Sequence, residues 1–424
     1  MRAARTAPYA LAAALTLLTG CSGGGHHAAT GASPGPSAAS ASAGVGAGDG
    51  SPGGSAPVTA HGSASAASPA RTSSAASALL PGMPAPLSAA DVWAADRPGA
   101  LAPALRHVRP MVYVPNSLSD TVSVIDPSTA RVVRTVRVGH EPQHVVPSWD
   151  LRTLWVNNDL GNSLTPITAA TGRFHRRVRV SDPYNLYFTP DGKYAVVMAS
   201  KDRELVFRDP HTMAVRKTLH VPCAGVNHAD FSADGRYFLV SCEFSGQVLE
   251  VDTARMALRG VLRLPTRPGH MAPKPQDVKL SPDGRTFYVA DMMSDGVWTL
   301  TGTPFRVTGF LPTGKGAHGL YVTRDSRRLL VTNRDEGTIS LLDFRTNRVT
   351  AKWHLPRGAS PDMGGLSVDG RVFWVSGRYD AVVYAVSTVT GRTLHVVPVG
   401  AGPHGLCVWP QPGRYSLGHT GVMR

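Results

Sequence analysis

The stretch Asp191-Gly192-Lys193-Tyr194-Ala195-Val196-Val197 joins a tight-turn dipeptide to an apolar run rich in strand-forming residues. Asp-Gly is a strong signal for a turn between two strands, and Tyr and Val favour extended backbone. A related stretch occurs at Asp150-Leu151-Arg152-Thr153-Leu154-Trp155-Val156, and further copies begin at Asp234, Asp283, Asp325 and Asp369. The six aspartates are 41, 43, 49, 42 and 44 residues apart, so the chain repeats one strand-rich unit.

Each repeat holds four short strands, as in Leu320–Thr323, Leu329–Asn333, Thr338–Phe344 and Arg348–Leu355. Four strands in 40 to 45 residues are typical of one blade of a propeller. The first unit, residues 112–138, has only three strands, whereas residues 406–409 form an isolated strand after the last repeat. The sequence therefore predicts an all-β fold, a seven-bladed β-propeller of four-stranded blades, closed by a C-terminal inner strand that joins the N-terminal blade.

Three segments of these repeats resemble those of a known family. They are Tyr113-Val114-Pro115-Asn116, Trp155-Val156-Asn157-Asn158 and Leu330-Val331-Thr332-Asn333, and they are similar to the repeat of the YVTN-type β-propellers. The resemblance covers roughly residues 111–409. It implies an extracytoplasmic protein related in fold to the haem domain of cytochrome-type nitrite reductase. It does not indicate one function, because this fold carries many unrelated sites.

The N-terminal 21 residues read as a secretory signal, with Arg2 and Arg5 before an apolar run from about residue 7 to 18. The run ends in Leu18-Thr19-Gly20-Cys21, which resembles a bacterial lipobox. The resemblance implies that Cys21 is lipidated and anchors the protein to the extracytoplasmic face of the cell membrane. An ordinary signal peptide with a chance cysteine and a membrane-spanning anchor are the alternatives, although the apolar run is short for a span.

The rest of the chain divides by composition. Of the 69 residues from 22 to 90, 58 are Ala, Gly, Ser, Pro or Thr, and we predict a disordered tether there. Residues 91–110 form a lead-in segment and residues 111–409 the propeller. Residues 410–424 form a C-terminal tail, of which residues 414–424 are expected to lie on the surface.

The folded region from residue 91 onward is basic, with 40 Lys and Arg against 28 Asp and Glu. Much of this charge falls on the predicted outermost strands, for example residues 131–137 and 176–179. Charge on an exposed edge strand prevents edge-to-edge association. It also attracts anionic envelope polymers or lipid headgroups. Nucleic acid is disfavoured because no basic groove is interleaved with aromatic residues. A protein partner remains open, and we expect a monomer.

The connectors between blades carry the strongest functional signal. They bring residues to one mouth of the central channel, and their 54 residues contain six of the 16 histidines, where about two would be expected. These are His140, His144, His228, His270, His318 and His404. His140 and His270 lie further from the inner strands and are predicted to add ligands from above.

The two positions before each inner strand define the predicted rim of the channel. Candidate metal ligands there are His144, His228, His318 and His404, and candidate cofactor contacts are Asn185, Asp277 and Asp362. His144 and His228 stand one position later than His318 and His404, so we expect two heights. Neutral imidazoles bind zinc, copper or iron, and such a site should lose its metal below about pH 6. The resemblance to haem-binding propellers adds a haem-type tetrapyrrole as an alternative, and a solvated polar rim is the third.

Three classes of function stay open. The first is a surface-tethered, non-catalytic propeller that binds a ligand or partner at its histidine-rich mouth. The second is a metal- or haem-associated redox or cofactor-maturation protein, and the third is a propeller lyase or lactonase. The first is favoured because the sequence contains no Cys-x-x-Cys-His motif for covalent haem and no Gly-rich phosphate loop. Of the remaining cysteines, Cys223 and Cys242 can bridge, and Cys407 is expected in the core.

Overall fold

The computed structural model describes residues 79–424. Cys21, the signal segment and the predicted tether up to residue 78 lie outside the described residues. Residues 79–90, which the sequence assigned to the tether, belong to the described part. Leu80 is buried there, and its backbone N–H donates to the Asp234 carbonyl (2.8 Å).

Twenty-nine strands form seven antiparallel sheets within residues 79–424. Blade 1 contains β1 (Met111–Asn116), β2 (Thr121–Asp126) and β3 (Arg131–Arg137), with β29 (Cys407–Trp409) as its inner strand. Blade 2 contains β4 (Pro142–Pro147), β5 (Thr153–Asn158), β6 (Ser163–Thr168) and a divided outer strand, β7 (Arg173–Phe174) and β8 (Val178–Arg179). Blade 3 contains β9 (Asn185–Phe188), β10 (Ala195–Ala199), β11 (Glu204–Arg208) and β12 (Val215–His220).

The remaining blades follow the same order from the inner to the outer strand. Blade 4 contains β13 (Val226–Phe231), β14 (Tyr237–Cys242), β15 (Gln247–Asp252) and β16 (Ala257–Arg263). Blade 5 contains β17 (Pro275–Leu280), β18 (Phe287–Asp291), β19 (Gly296–Gly302) and β20 (Phe305–Pro312). Blade 6 contains β21 (Ala317–Val322), β22 (Arg328–Asn333), β23 (Thr338–Asp343) and β24 (Arg348–His354). Blade 7 contains β25 (Pro361–Leu366), β26 (Val372–Gly377), β27 (Val382–Ser387) and β28 (Thr393–Pro398).

The ring closes between the two ends of the repeat region. β29 pairs antiparallel with β1, with Met111 opposite Trp409 and Tyr113 opposite Cys407. Inner strands contact one another in the order β4, β9, β13, β17, β21, β25, β29 and back to β4. Closure removes two unpaired sheet edges at the seam. The predicted seven-bladed fold and its closure by the C-terminal strand are confirmed.

In blades 2 to 7 the repeated turn at the aspartate joins the inner strand to the second strand by one local network. In blade 3 the Thr189 hydroxyl donates to the Asp191 carboxylate (2.6 Å), which also accepts from the Lys193 backbone N–H (3.2 Å). Gly192 has a φ of +70°, which only glycine adopts without strain. A Ser or Thr two residues before the turn aspartate makes the same bond in five further blades. This network explains why the repeat is visible in the sequence.

Two of the three described cysteines form a disulfide. Cys223, in the connector before β13, bonds to Cys242 at the end of β14, which ties that connector to its own blade. Cys407 is free and fully buried in β29. One helical element is present in residues 79–424, a 3₁₀ turn at Pro103–Leu105, and no described helix has the length and apolar character needed to span a bilayer.

The sequence predicted that residues 414–424 of the C-terminal tail lie on the surface, but this segment does not. It enters the central channel, where Tyr415, Leu417, Val422 and Met423 are buried. Leu417 accepts from the Phe188 N–H (2.9 Å) at the free edge of β9. The expectation was wrong because inner strands leave backbone groups unpaired toward the channel, and an apolar segment can satisfy them while it fills the space.

The tail also contacts the lead-in segment at the end of the channel away from the connectors. The Arg424 guanidinium bonds to Asp230 (3.0 Å) and stacks on Trp93, 3.9 Å from the ring centroid. The Trp93 indole N–H in turn donates to the Leu280 carbonyl (3.0 Å). The lead-in segment and the tail together close this end, so the connectors surround the opposite mouth.

Candidate functional site

The polar residues at the start of the inner strands form two tiers in the channel. His318, Asp362 and His404 occupy one position of the repeat, and we call them the upper tier. His144, Asn185, His228 and Asp277 occupy the next position. In five blades the pairing of the inner strand shifts register at these positions, and such a bulge re-aims side chains. All seven candidate residues are buried, at 0–3% exposure.

The four candidate histidines converge on the channel axis. The ring centroids of His144 and His404 are 4.8 Å apart, which confirms the proximity that ring closure predicts. His228 lies 5.5 Å from His144 and 6.3 Å from His318, measured between centroids. Gly405 permits the closest of these approaches, because a Cβ there would lie 2.1 Å from the His144 ring. The residues do not form a solvated rim, since water reaches almost none of their surface.

A fifth histidine, His419, joins them from the tail. Its ring centroid lies 4.9 Å from that of His228 and 5.4 Å from that of His144. Its backbone N–H donates to the Leu186 carbonyl (2.9 Å), and its ring stacks on Tyr187. Gly418 lets the tail come this close, because it has a φ of +100° and a Cβ there would lie 2.4 Å from the Leu186 oxygen.

His144, His228 and His419 form a group that we call the lower trio. One ring nitrogen of each lies within 4.8 Å of the others. The Nε2 atoms of all three are buried and have no hydrogen-bond partner among residues 79–424. The Nδ1 of His144 donates to the Tyr184 carbonyl (2.8 Å), which leaves a lone pair on Nε2. Asn185 Nδ2 lies 3.2 Å from His228 Nδ1 and 3.0 Å from His419 Nδ1, so it positions both rings.

The lower trio is uncharged at neutral pH. Burial lowers the pKa of His144 to about 3. It also holds the pKa values of His228 and His419 well below 6.5; His144 lowers the pKa of His228 further, and His228 lowers that of His419. Neutral imidazole is the form that ligates metals. Because Asn185 Nδ2 donates to Nδ1 of His228 and of His419, both rings carry their proton on Nε2, and ligation through Nε2 requires the other tautomer.

The upper tier is held by an ion pair instead. Arg334, from the loop between β22 and β23, donates to the Asp362 carboxylate, and His318 Nδ1 lies 3.0 Å from the same oxygen. His404 Nε2 is 3.5 Å from the other oxygen. Desolvation opposes the charge of Asp362, but Arg334 and the two rings hold its pKa well below 3.8. Because a guanidinium already neutralises this carboxylate, the upper tier is a weaker metal site than the lower trio.

Asp277 provides a carboxylate beside the lower trio. Its Oδ2 lies 3.8 Å from His419 Nε2 and accepts from the Leu320 N–H (2.9 Å). Burial raises its pKa to about 6, against the opposing effect of Lys279, so it is ionised at pH 7.5. It is a source of negative charge for a cation bound at the lower trio.

Two histidines predicted above the site do not join it. His140 is exposed, and its Nδ1 lies 2.9 Å from the Asp120 carboxylate. His270 is partly buried, with its Nδ1 3.2 Å from the Met293 carbonyl.

The comparisons with known proteins place the fold in a family. Residues 75–412 match the YNCE-like β-propeller family. The chain belongs to this family. No match was found among curated proteins. The YVTN-type resemblance predicted from the repeats is confirmed, because a YNCE-like propeller is the fold that both identify.

Solved structures similar to this YNCE-like chain share its fold at low identity. A functionally unknown protein from Desulfotomaculum acetoxidans has 15% identity and a TM-score of 0.60, covering 70% of this chain and 98% of its own. Hydrazine synthase from Kuenenia stuttgartiensis has 17% identity and a TM-score of 0.54, covering 68% and 92%. The dihydro-haem d1 dehydrogenase NirN, in complex with DHE, has 16% identity and a TM-score of 0.52, covering 76% and 78%.

Proposed function

We propose that this propeller is a non-catalytic, extracytoplasmic copper-binding protein whose ion sits between His144, His228 and His419. The observation that carries the proposal is the lower trio itself: each of three buried, neutral imidazoles places one ring nitrogen in a 4.8 Å group, and each Nε2 lacks a hydrogen-bond partner among residues 79–424. Three nitrogens at about 2.0–2.1 Å from one metal ion lie roughly 3.5 Å apart, so modest side-chain rotations complete the site.

Copper is favoured by the charge of the surroundings. The donors are neutral, the site excludes water, and Asp277 is the nearest carboxylate, with Lys279 Nζ 3.8 Å from it. The cost of burying an ion rises with the square of its charge, so a monovalent ion costs less than a divalent one. Imidazole is a good ligand for copper, and copper(I) is the monovalent ion among the metals that imidazoles bind.

A tetrapyrrole is less compatible with this geometry than a single ion. The NirN structure is a complex with DHE, but the five imidazoles of this channel are at most 3% exposed. A macrocycle would have to displace Tyr184, whose ring lies 5.3 Å from His144 and 6.3 Å from His404 between centroids. The proposal therefore takes the ion without a macrocycle.

Anaerobic titration of the chelator-stripped protein with Cu(I), against a competing chromophoric chelator, tests the proposal. We expect one ion per chain, and at least a 100-fold loss of affinity in His144→Gln and in His419→Gln. His270→Gln is the matched control and should leave the affinity unchanged. His318→Gln separates the two tiers, because it removes an imidazole only from the upper one.

Two outcomes would contradict the assignment. If His318→Gln abolishes binding while His419→Gln does not, the ion belongs to the upper tier. If Zn²⁺ binds more tightly than Cu(I), the charge argument fails.

We also propose that the protein acts at the extracytoplasmic face of the membrane, anchored through Cys21. The support is the lipobox-like Leu18-Thr19-Gly20-Cys21 and the family resemblance. Cys21→Ser should release the protein from the membrane fraction or block its processing. Normal processing and unchanged membrane association in that variant would refute the anchor.

A further inference from the structure

The net positive charge of the folded region comes from one surface. The outer strands of the blades, counting residues 173–179 for blade 2, contain 14 Lys and Arg and no Asp or Glu. The folded region has 40 Lys and Arg and 28 Asp and Glu in total, so the positions outside the outer strands hold 26 basic and 28 acidic residues. The excess of positive over negative charge in the folded region therefore lies on the outer strands, which form the circumference of the ring.

Half of these cations lie on two adjacent blades. The exposed arginines on the outer strands of blades 1 and 2, counting residues 173–179 for blade 2, are Arg131, Arg134, Arg137, Arg173, Arg176, Arg177 and Arg179. We call this surface the arginine edge. None of the seven is within ion-pair distance of a carboxylate in residues 79–424. Elsewhere on the circumference Arg216 pairs with Asp209 and Arg259 with Glu250.

The arginine edge is continuous across the blade boundary. The Arg134 guanidinium lies 5.1 Å from the ring centroid of Phe174, which joins the outer strand of blade 1 to that of blade 2. Arg177 and Arg179 line a shallow cavity of about 360 Å³ with Gly161, Asn162 and Ser163. Seven residues of strand β3 extend this surface by about 20 Å. The shape is that of a long, shallow track.

Protection of sheet edges does not account for this composition. Charges of either sign prevent edge pairing, whereas the outer strands carry 14 Lys and Arg and no Asp or Glu. Arginine presents a planar fork that binds a phosphate with two parallel hydrogen bonds. Unpaired arginines in a row are suited to a chain of phosphates.

We infer that the arginine edge binds a linear phosphate polymer of the cell envelope, independently of the metal site. Bases are not required, because the edge offers no exposed aromatic platform on which a base could stack; Phe174 is half-buried beneath Arg134. The interaction is electrostatic and releases counterions from the polymer.

Inorganic polyphosphate of defined length is the probe. Binding is measured by calorimetry from 50 to 300 mM NaCl with the full chain, with single-stranded poly-dT of equal phosphate number and phosphatidylglycerol vesicles as parallel arms. The edge variant carries three substitutions, Arg131→Gln, Arg134→Gln and Arg137→Gln. The matched control removes the same charge from exposed, unpaired positions of blades 4 to 6, namely Arg263→Gln, Arg306→Gln and Arg348→Gln.

The edge variant should bind polyphosphate at least tenfold more weakly at 150 mM NaCl. Its slope of log K against log salt should fall in magnitude by about 2, at roughly 0.7 per lost contact. The control should stay within about twofold of the parent, and all three proteins should melt at the same temperature. Equal losses in both variants, no binding of polyphosphate by the parent, tighter binding of poly-dT, or binding of vesicles alone would each overturn the assignment.

Discussion

Replacing Arg334 with Gln should destabilise the propeller by about 3–5 kcal/mol, the usual cost of leaving a buried charge without its partner. Asp362 is 0% exposed, and Arg334 is the only Lys or Arg within ion-pair distance of it in residues 79–424. In the parent protein the neighbouring rings are uncharged at pH 7.5, because burial lowers the pKa of His318 to about 4 and holds that of His404 well below 6.5.

A double-mutant cycle measures the interaction free energy between the Arg334 and Asp362 side chains. Asp362→Asn alone leaves a buried guanidinium, whereas Arg334→Gln with Asp362→Asn leaves neither charge. The double variant should therefore be less destabilised than the sum of the single variants by about 2 kcal/mol or more. Urea unfolding at pH 7.5 with a chelator present measures all four proteins.

A second ion pair, formed between two residues of blade 6, serves as the control. Lys352 and Glu336 are 2.6 Å apart, but their side chains are 31% and 29% exposed. Solvent screens such a pair, so Lys352→Gln should cost less than about 1 kcal/mol. If Arg334→Gln costs no more than Lys352→Gln, burial does not set the strength of this ion pair and the reasoning is refuted.

Copper affinity should fall less than tenfold between pH 7 and pH 5, because burial keeps the pKa of the ligand His144 at about 3, whereas Asp277, with a pKa of about 6, loses a neighbouring charge and not a ligand. A site of exposed imidazoles with a pKa near 6.5 would lose about 25-fold in copper affinity over that range, which is the loss expected from the sequence alone. Competition with a chelator at pH 7 and at pH 5 distinguishes the two cases. Leu417→Ala should lower the free energy of unfolding by about 2–5 kcal/mol, measured in urea, because Leu417 is buried in the channel. Leu394→Ala, on an exposed outer strand, should change it by no more than about 0.5 kcal/mol, and equal losses in the two variants would contradict the buried tail. Cys223→Ser with Cys242→Ser should cost about 3 kcal/mol for a loop of 19 residues, and a reductant that leaves the parent unaffected would argue against the disulfide.

The fold could be predicted from the sequence because its information is local. Each blade repeats an Asp-Gly turn held by bonds between residues two to five positions apart, as at Thr189 and Asp191. The count of strands at the two ends then predicted the closure of β29 on β1. Four of the five channel histidines could also be predicted from the sequence, because the connectors of a propeller converge on one axis whatever their sequence.

The remainder of the site depends on contacts that no repeat encodes. His419 follows the last strand, and only its setting in Tyr415-Ser416-Leu417-Gly418-His419, where apolar residues alternate with small or polar ones, hints at a strand-like buried segment. Arg334 lies in a loop between strands, with no pattern that links it to Asp362. The protonation states were missed for the same reason, because the burial that lowers the histidine pKa values comes from the packing of the whole ring.

The tail that fills the channel also determines when the site can form. Asn185, which orients two rings of the lower trio, and His419 are 234 positions apart in the chain. Contacts of such long range form late in folding, because the intervening chain must be ordered before they are gained. A chain that has assembled only part of its ring offers two of the three imidazoles, so the uptake of copper would measure completion of the fold.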